Sequence, residues 1–155
     1  MSLNEDVERL RKIPLFAKIE PSKLKLLAFT AQRLTFNANE SLFHQGDIGD
    51  AAYIIIDGSA DVVVDTPNGP ITVAQLGKNA FVGEIAILCD VPRTATVTAT
   101  TELTTICISK ELFFQLVGQF PQMAIEIMRE LAHRLELTTR DLQEAVTKLK
   151  AAEAR

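Results

Sequence analysis

From residue 31 to about residue 109, apolar side chains recur at every second position, and this alternation limits the possible fold more than any other feature. It runs through Arg33-Leu34-Thr35-Phe36, Ser41-Leu42-Phe43-His44 and Ala52-Tyr53-Ile54-Ile55-Ile56. It continues through Ala60-Asp61-Val62-Val63-Val64, Ile71-Thr72-Val73-Ala74 and Leu103-Thr104-Thr105-Ile106-Cys107-Ile108. Successive side chains on a strand point to opposite faces, so a period of two sets up half-buried β-structure. Gly46, Gly49, Gly58, Gly69 and Gly77 fall in the gaps, where turns are needed. Short strands at this spacing predict an antiparallel β-barrel or jelly roll.

Both flanks read as helical, which makes the expected fold class α+β, mainly β, with N-terminal helices and a long C-terminal helix. Residues 4–13 form a short amphipathic stretch that Asn4 can cap and Pro14 stops. Leu15 and Phe16 follow as an apolar anchor, and a second short helix over about 21–30 turns Leu24, Leu27 and Ala28 inward. Beyond Lys110, a helix from Glu111 to about Val117 is closed by Gly118, and a final helix starts near Pro121. Its inward positions are Ile125, Met128, Ala132, Leu135, Thr139, Leu142, Val146 and Leu149, spaced alternately by three and four. That is a heptad seam, widened on one side by Leu131 and Ala145. A helix with two adjoining apolar faces can lie on its own barrel and on a partner at once. The expectation is therefore a homodimer through a parallel coiled coil, against the plainer reading of one core-facing amphipathic helix. At 155 residues the chain reads as a single domain over 1–155, with a lead-in (1–30), a barrel (31–109) and C-terminal helices (110–155).

Residues 81–97 break the barrel pattern. Between Lys78 and Lys110 the only basic residue is Arg93, and it falls on the same face as Ala95, Val97 and Ala99. A guanidinium keeps its proton even when buried, so it needs an anion. Glu84 and Asp90 are the internal candidates, and a plain Glu84–Arg93 ion pair is one reading. The other is a ligand. Gly83-Glu84 opens a helical turn, Ile85-Ala86-Ile87-Leu88, whose free amides and glycine-permitted approach suit a singly charged phosphodiester.

Gly83-Glu84-Ile85-Ala86-Ile87-Leu88, a three-residue spacer and Pro92-Arg93-Thr94-Ala95-Thr96-Val97 together resemble the phosphate-binding cassette of cyclic nucleotide-binding domains. The resemblance implies that Arg93 binds the cyclic phosphate and Glu84 the ribose 2′-hydroxyl, with backbone around Gly83, Ile85 and Ala86 completing the cradle. The helical lead-in and the turns at Gln45-Gly46-Asp47 and Asp57-Gly58 are similar to the same family, so the likeness covers nearly the whole chain. Arg134-Leu135 and the hydroxyls Thr138 and Thr139 resemble the central helix of bacterial cAMP receptor proteins. There, one hydroxyl faces the adenine of its own subunit and the other that of the partner. Thr94 resembles a residue that helps hold guanine in some cGMP-dependent kinases. The implied ligand is thus cAMP, with cGMP as the alternative. In those regulators a DNA-binding helix-turn-helix follows this helix, and residues 1–155 do not include one. The chain is expected to be either the sensor part of a longer protein or a stand-alone sensor acting by contact.

Composition excludes several functions. A net charge of −4 opposes a nucleic-acid surface. No apolar stretch reaches 18 residues, and the N-terminus lacks a signal-peptide pattern, so a cytoplasmic protein is expected, with no membrane contact. Cys89 and Cys107 are isolated and read as buried reduced thiols, and His44 and His133 are too far apart for a metal-dependent cupin site. No cofactor, catalytic residue or metal ligand is expected. Paired carboxylates at Glu84 and Asp90 would both be kept ionised by Arg93, which is wrong for acid–base work. The expected function is a non-enzymatic ligand sensor that signals through its C-terminal helix. The alternatives are a cGMP-binding regulatory domain of a larger kinase, channel or transcription regulator, and a haem or redox sensor on the same fold.

Overall fold

A computed structural model describes residues 3–14 and 16–154. Two helices, α1 (Leu3–Arg11) and α2 (Pro21–Thr30), lead into eight strands. These are β1 (Gln32–Phe36), β2 (Ser41–Phe43), β3 (Ala51–Asp57), β4 (Ala60–Thr66), β5 (Gly69–Leu76), β6 (Phe81–Val82), β7 (Thr96–Ala99) and β8 (Leu103–Ser109). A six-residue helix, α3 (Glu84–Cys89), interrupts them, and α4 (Lys110–Gln119) and α5 (Pro121–Glu153) complete the chain. All pairings are antiparallel, in two four-stranded sheets ordered β1-β8-β3-β6 and β2-β7-β4-β5. This is the expected jelly roll.

The alternation explains the layering. On β3, Ala52, Ile54 and Ile56 join the core beneath the helices, while Ala51, Tyr53 and Ile55 join the core between the sheets. β8 divides likewise, with Ile106 and Ile108 on the helix side and Leu103 and Cys107 on the other. One sheet is therefore covered on both faces, and each buried aliphatic side chain contributes about 1.5–3 kcal/mol. On the helix side, Leu10, Ile13, Phe16, Leu24 and Leu27 are fully buried, and Phe16 meets Phe81 edge-on at 5.9 Å. Asp6 and Arg33 pair to tie α1 to β1. Leu15 lies outside the described residues.

Several expectations change in detail. The first helix begins at Leu3, which puts Asn4 inside its first turn rather than at the cap. β6 had no sequence signal of its own, because two residues are too few to show a period. α4 runs through Gly118 to Gln119, and the break falls at Phe120 (φ −126°, ψ 81°). Pro121 sets that break, since the residue before a proline is pushed out of the helical region. The thiols are less buried than expected. Cys89 is exposed, on the same outer face of α3 as Ile85, and Cys107 is half-buried.

α5 corrects the expected inward face. The side chains that join the core are Met123 and Ile127, with Leu131 partly buried against it. The heptad positions point elsewhere: Met128 is 61% exposed, Leu135 68%, Leu142 63% and Leu149 60%. From Leu135 onward every described residue of α5 is exposed. The core-facing stripe of α5 thus ends with Leu131 and the half-buried Arg134.

Candidate functional site

The site forms where β6 ends. Gly83 takes a left-handed conformation (φ 94°, ψ 3°) and starts α3. A Cβ there would lie 2.8 Å from Arg93 Nη1 and 3.2 Å from the Ala51 carbonyl oxygen. Both the dihedral and the close approach therefore require glycine. Glu84, Ala86 and Ile87 turn inward from α3, while Ile85 faces out.

Arg93 lies in the loop before β7 and is zipped to the Gly46–Asp47 turn. Its amide donates to the Asp47 carbonyl at 2.8 Å, and its carbonyl accepts from Gly46 at 2.9 Å. The side chain is only 4% exposed. Nη1 donates to the Gly83 carbonyl at 2.9 Å and Nη2 to the Ala51 carbonyl at 2.6 Å, so the guanidinium bridges the turn and β3. Nε is buried and has no hydrogen-bond partner. Among the described residues no carboxylate forms an ion pair with Arg93. Burial lowers its pKa, and Tyr53, Asp50 and Asp47 oppose that shift from a distance. A buried guanidinium without a carboxylate leaves its charge uncompensated by an acid of the chain.

Glu84 is paired, but not to Arg93. Its carboxylate accepts from Arg134 Nη1 of α5 at 3.0 Å, and Arg134 Nε lies 3.8 Å from Glu130. Burial raises the Glu84 pKa, and hydrogen bonding to its own backbone, Arg134 and Arg93 oppose the rise in that order. Asp90, the other candidate carboxylate, is exposed and faces Lys110 at 3.3 Å. The acid–base pair considered for Glu84 and Asp90 is therefore not assembled.

A cavity of about 220 Å³ opens over these groups. Gly83, Glu84, Ile85, Ala86, Arg93 and Thr94 all line it, with Phe43, Val62, Leu76, Phe81, Val82, Ala95, Val97 and Arg134. Its chemistry is an apolar chamber with two arginines, Arg93 and Arg134, and one carboxylate, Glu84. Thr138 and Thr139 do not line it; both are exposed, and the Thr139 hydroxyl donates to the Leu135 carbonyl at 2.8 Å. Among the described residues no cluster of three His, Cys, Asp or Glu side chains could hold a metal ion.

Two site residues had no role assigned from sequence. Arg134 stood only as a landmark beside Leu135, one of several cations on that helix with nothing in the sequence to single it out. Phe43, whose ring centroid lies 4.0 Å from the Arg93 guanidinium carbon, looked like any aromatic in an alternating strand.

Known proteins resemble the chain along most of its length. The pattern of the cyclic nucleotide-binding domain matches residues 33–120, more than half of the chain. A CRP-like cAMP-activated global transcriptional regulator of Mycobacterium tuberculosis is 27% identical over 140 residues, covering 90% of this chain and 62% of that protein. A cAMP-dependent protein kinase regulatory subunit of Schizosaccharomyces pombe is 33% identical over 120 residues, 77% of this chain and 27% of that protein. The chain thus spans less than two thirds of either relative. The catabolite activator protein of Thermus thermophilus superimposes with a TM-score of 0.77 at 27% identity, covering 84% of this chain and 62% of that one. Matched across its barrel and the helix that follows, the chain belongs to the cyclic nucleotide-binding domain family.

Proposed function

We propose that this chain is a non-catalytic sensor that binds cAMP, with cGMP as the alternative, and transmits occupancy through α5. The observation that carries the reading is Arg93: buried, without a carboxylate partner, with one N–H unsatisfied, at the edge of an apolar cavity. The cyclic phosphate sits on Arg93 and the Gly83–Ala86 backbone, and the ribose hydroxyl meets Glu84. The base then extends along the apolar wall of Val62, Leu76 and Val97. The names of a cAMP-activated regulator and a cAMP-dependent kinase subunit among its relatives support cAMP. Thr94, beside Arg93 and lining the cavity, supports the cGMP alternative.

α5 is the output because it touches the cassette through Arg134, which donates to Glu84. A ribose hydroxyl on Glu84 changes the partners of that carboxylate, and a ligand shifts a helix only by binding one pose better than another. Thr138, one helical turn beyond Arg134 on the same face, and Thr139 reach the purine when α5 closes or when a second copy docks. The exposed heptad seam of α5 supports a homodimer built through that helix.

Calorimetric titration with cAMP and cGMP, in wild type and Arg93→Ala, tests the reading. Micromolar binding of one nucleotide, lost in the variant and with the nucleotide recovered intact, is the expected result. No binding of either nucleotide overturns it.

A further inference from the structure

We propose that Phe43 is a positioning residue for Arg93, an inference resting on the reading that Arg93 receives the ligand phosphate. The Phe43 ring centroid is 4.0 Å from the guanidinium carbon, within the range where a cation is drawn to an aromatic face. Gly49 leaves room for the same group, since a Cβ built there would lie 3.2 Å from both the guanidinium carbon and Nε. At Gly83 a Cβ would meet Nη1 at 2.8 Å and the Phe43 ring at 3.4 Å. Ring, turn and guanidinium therefore converge, and the ring together with the two carbonyl hydrogen bonds sets the orientation of the arginine.

The ring does something a carboxylate could not. A buried arginine needs its charge offset, and an acid in contact would offset it while occupying the N–H groups that an anionic ligand needs. An aromatic face attracts the cation through its quadrupole and takes none of the in-plane donors. Two of the five guanidinium N–H groups go to the Gly83 and Ala51 carbonyls. The remaining N–H groups take no partner from the ring, and Nε is left without one. Phe43 is itself held: it ends β2, its neighbour ring Tyr53 lies 6.0 Å away, and Tyr53 in turn meets Phe36 at 6.2 Å. The aromatic row is a support for one charged group.

The test compares wild type, Phe43→Leu, Phe43→Tyr and Arg93→Ala by titration with cAMP and cGMP. Alongside it, the Arg93 Nε–H proton resonance is followed in the ligand-free protein by NMR. Phe43→Leu keeps apolar bulk but removes the quadrupole, and should weaken nucleotide binding about tenfold. Its Arg93 Nε–H signal should move downfield as the ring-current shift disappears, with the melting temperature held to within a few degrees. Phe43→Tyr should restore both affinity and the shifted signal. Wild-type affinity in Phe43→Leu, beside lost binding in Arg93→Ala, overturns the role of Phe43 alone. Weaker binding with an unmoved Nε–H signal also overturns it, because the ring would then only touch the ligand. Undiminished binding in Arg93→Ala removes the phosphate seat, and Phe43's role falls with it.

Discussion

Arg93 carries a full charge with only 4% of its surface exposed, and its local partners are carbonyls and a ring rather than an acid. Removing it has two consequences of different size. A micromolar ligand is worth about 8 kcal/mol, and losing a charge-assisted phosphate contact removes several of them. The carbonyls of Gly83 and Ala51 lose their donor, which costs about 1–3 kcal/mol, while an expensive buried charge disappears. Arg93→Ala should therefore abolish nucleotide binding and leave a folded protein, read by titration and thermal melting together. Arg93→Lys should rescue only part of the affinity, because the fork that spans two carbonyls is gone. Glu84 offers a pH test. Its pKa in the fold is raised above the ordinary 4.5, mainly by burial, so the folded state keeps its proton to higher pH than the unfolded chain does. Stability falls with pH wherever the native state binds more protons. Relative to Glu84→Gln, wild type should lose stability as pH rises from about 4.5 upward through the raised value, and hold a constant deficit above it. Urea midpoints for both proteins across that window measure this; a gap that widens toward low pH would refute the burial argument.

At the scale of elements, an ion pair, Glu84–Arg134, links α3 to α5 across 50 residues of sequence. Arg134 is part-exposed, so the pair is worth about 1 kcal/mol or less, enough to bias a helix but not to weld it. Arg134→Ala should speed amide exchange along α5 from about residue 130 while leaving the barrel amides unchanged, as hydrogen-exchange mass spectrometry would show. Equal protection in both proteins would mean that core packing at Met123, Ile127 and Leu131 alone positions the helix. This pairing also marks where sequence reading stopped. The strands were legible because alternation is local, and the cassette because Gly83-Glu84 and Pro92-Arg93 are close in sequence. The partner of Glu84 was not legible. Arg93 is the nearer cation along the chain, but its side chain is turned to the carbonyls of Gly83 and Ala51, and the carboxylate is left for a helix that arrives later. Cys89 was misread for a related reason: an apolar neighbourhood in sequence, Ile85 to Leu88, is split between two faces once it winds into a six-residue helix.

For the whole molecule, the question is what covers the outer stripe of α5. The helix is 33 residues, about 50 Å long, and the described residues of its far half are all exposed. Ile125, Ala132, Thr139 and Val146 occupy one heptad position, and Met128, Leu135, Leu142 and Leu149 the other. β-Branched residues at the first with leucine at the second favour two parallel strands. The flanks differ: Leu131, Thr138, Ala145 and Ala152 on one side, Arg129, Glu136, Gln143 and Lys150 on the other. Leu135→Lys with Leu142→Lys puts charges into the proposed seam without touching the barrel, and should give a monomer by sedimentation. Thr139 distinguishes packing from signalling in the same seam. A hydroxyl there packs less well than a branched aliphatic, and in the single chain it only donates to the Leu135 carbonyl one turn back. If Thr139 serves the partner's ligand, Thr139→Leu should hold or strengthen the dimer while lowering cooperativity between the two sites. Thr138→Ala, on the flank, should reduce discrimination between cAMP and cGMP by about 1–2 kcal/mol, the range for a lost buried hydrogen bond. Titrating both variants with both nucleotides, beside sedimentation of each, separates the roles. A Thr139→Leu dimer whose cooperativity matches wild type would leave the threonine a packing residue and place the coupling between sites elsewhere along α5.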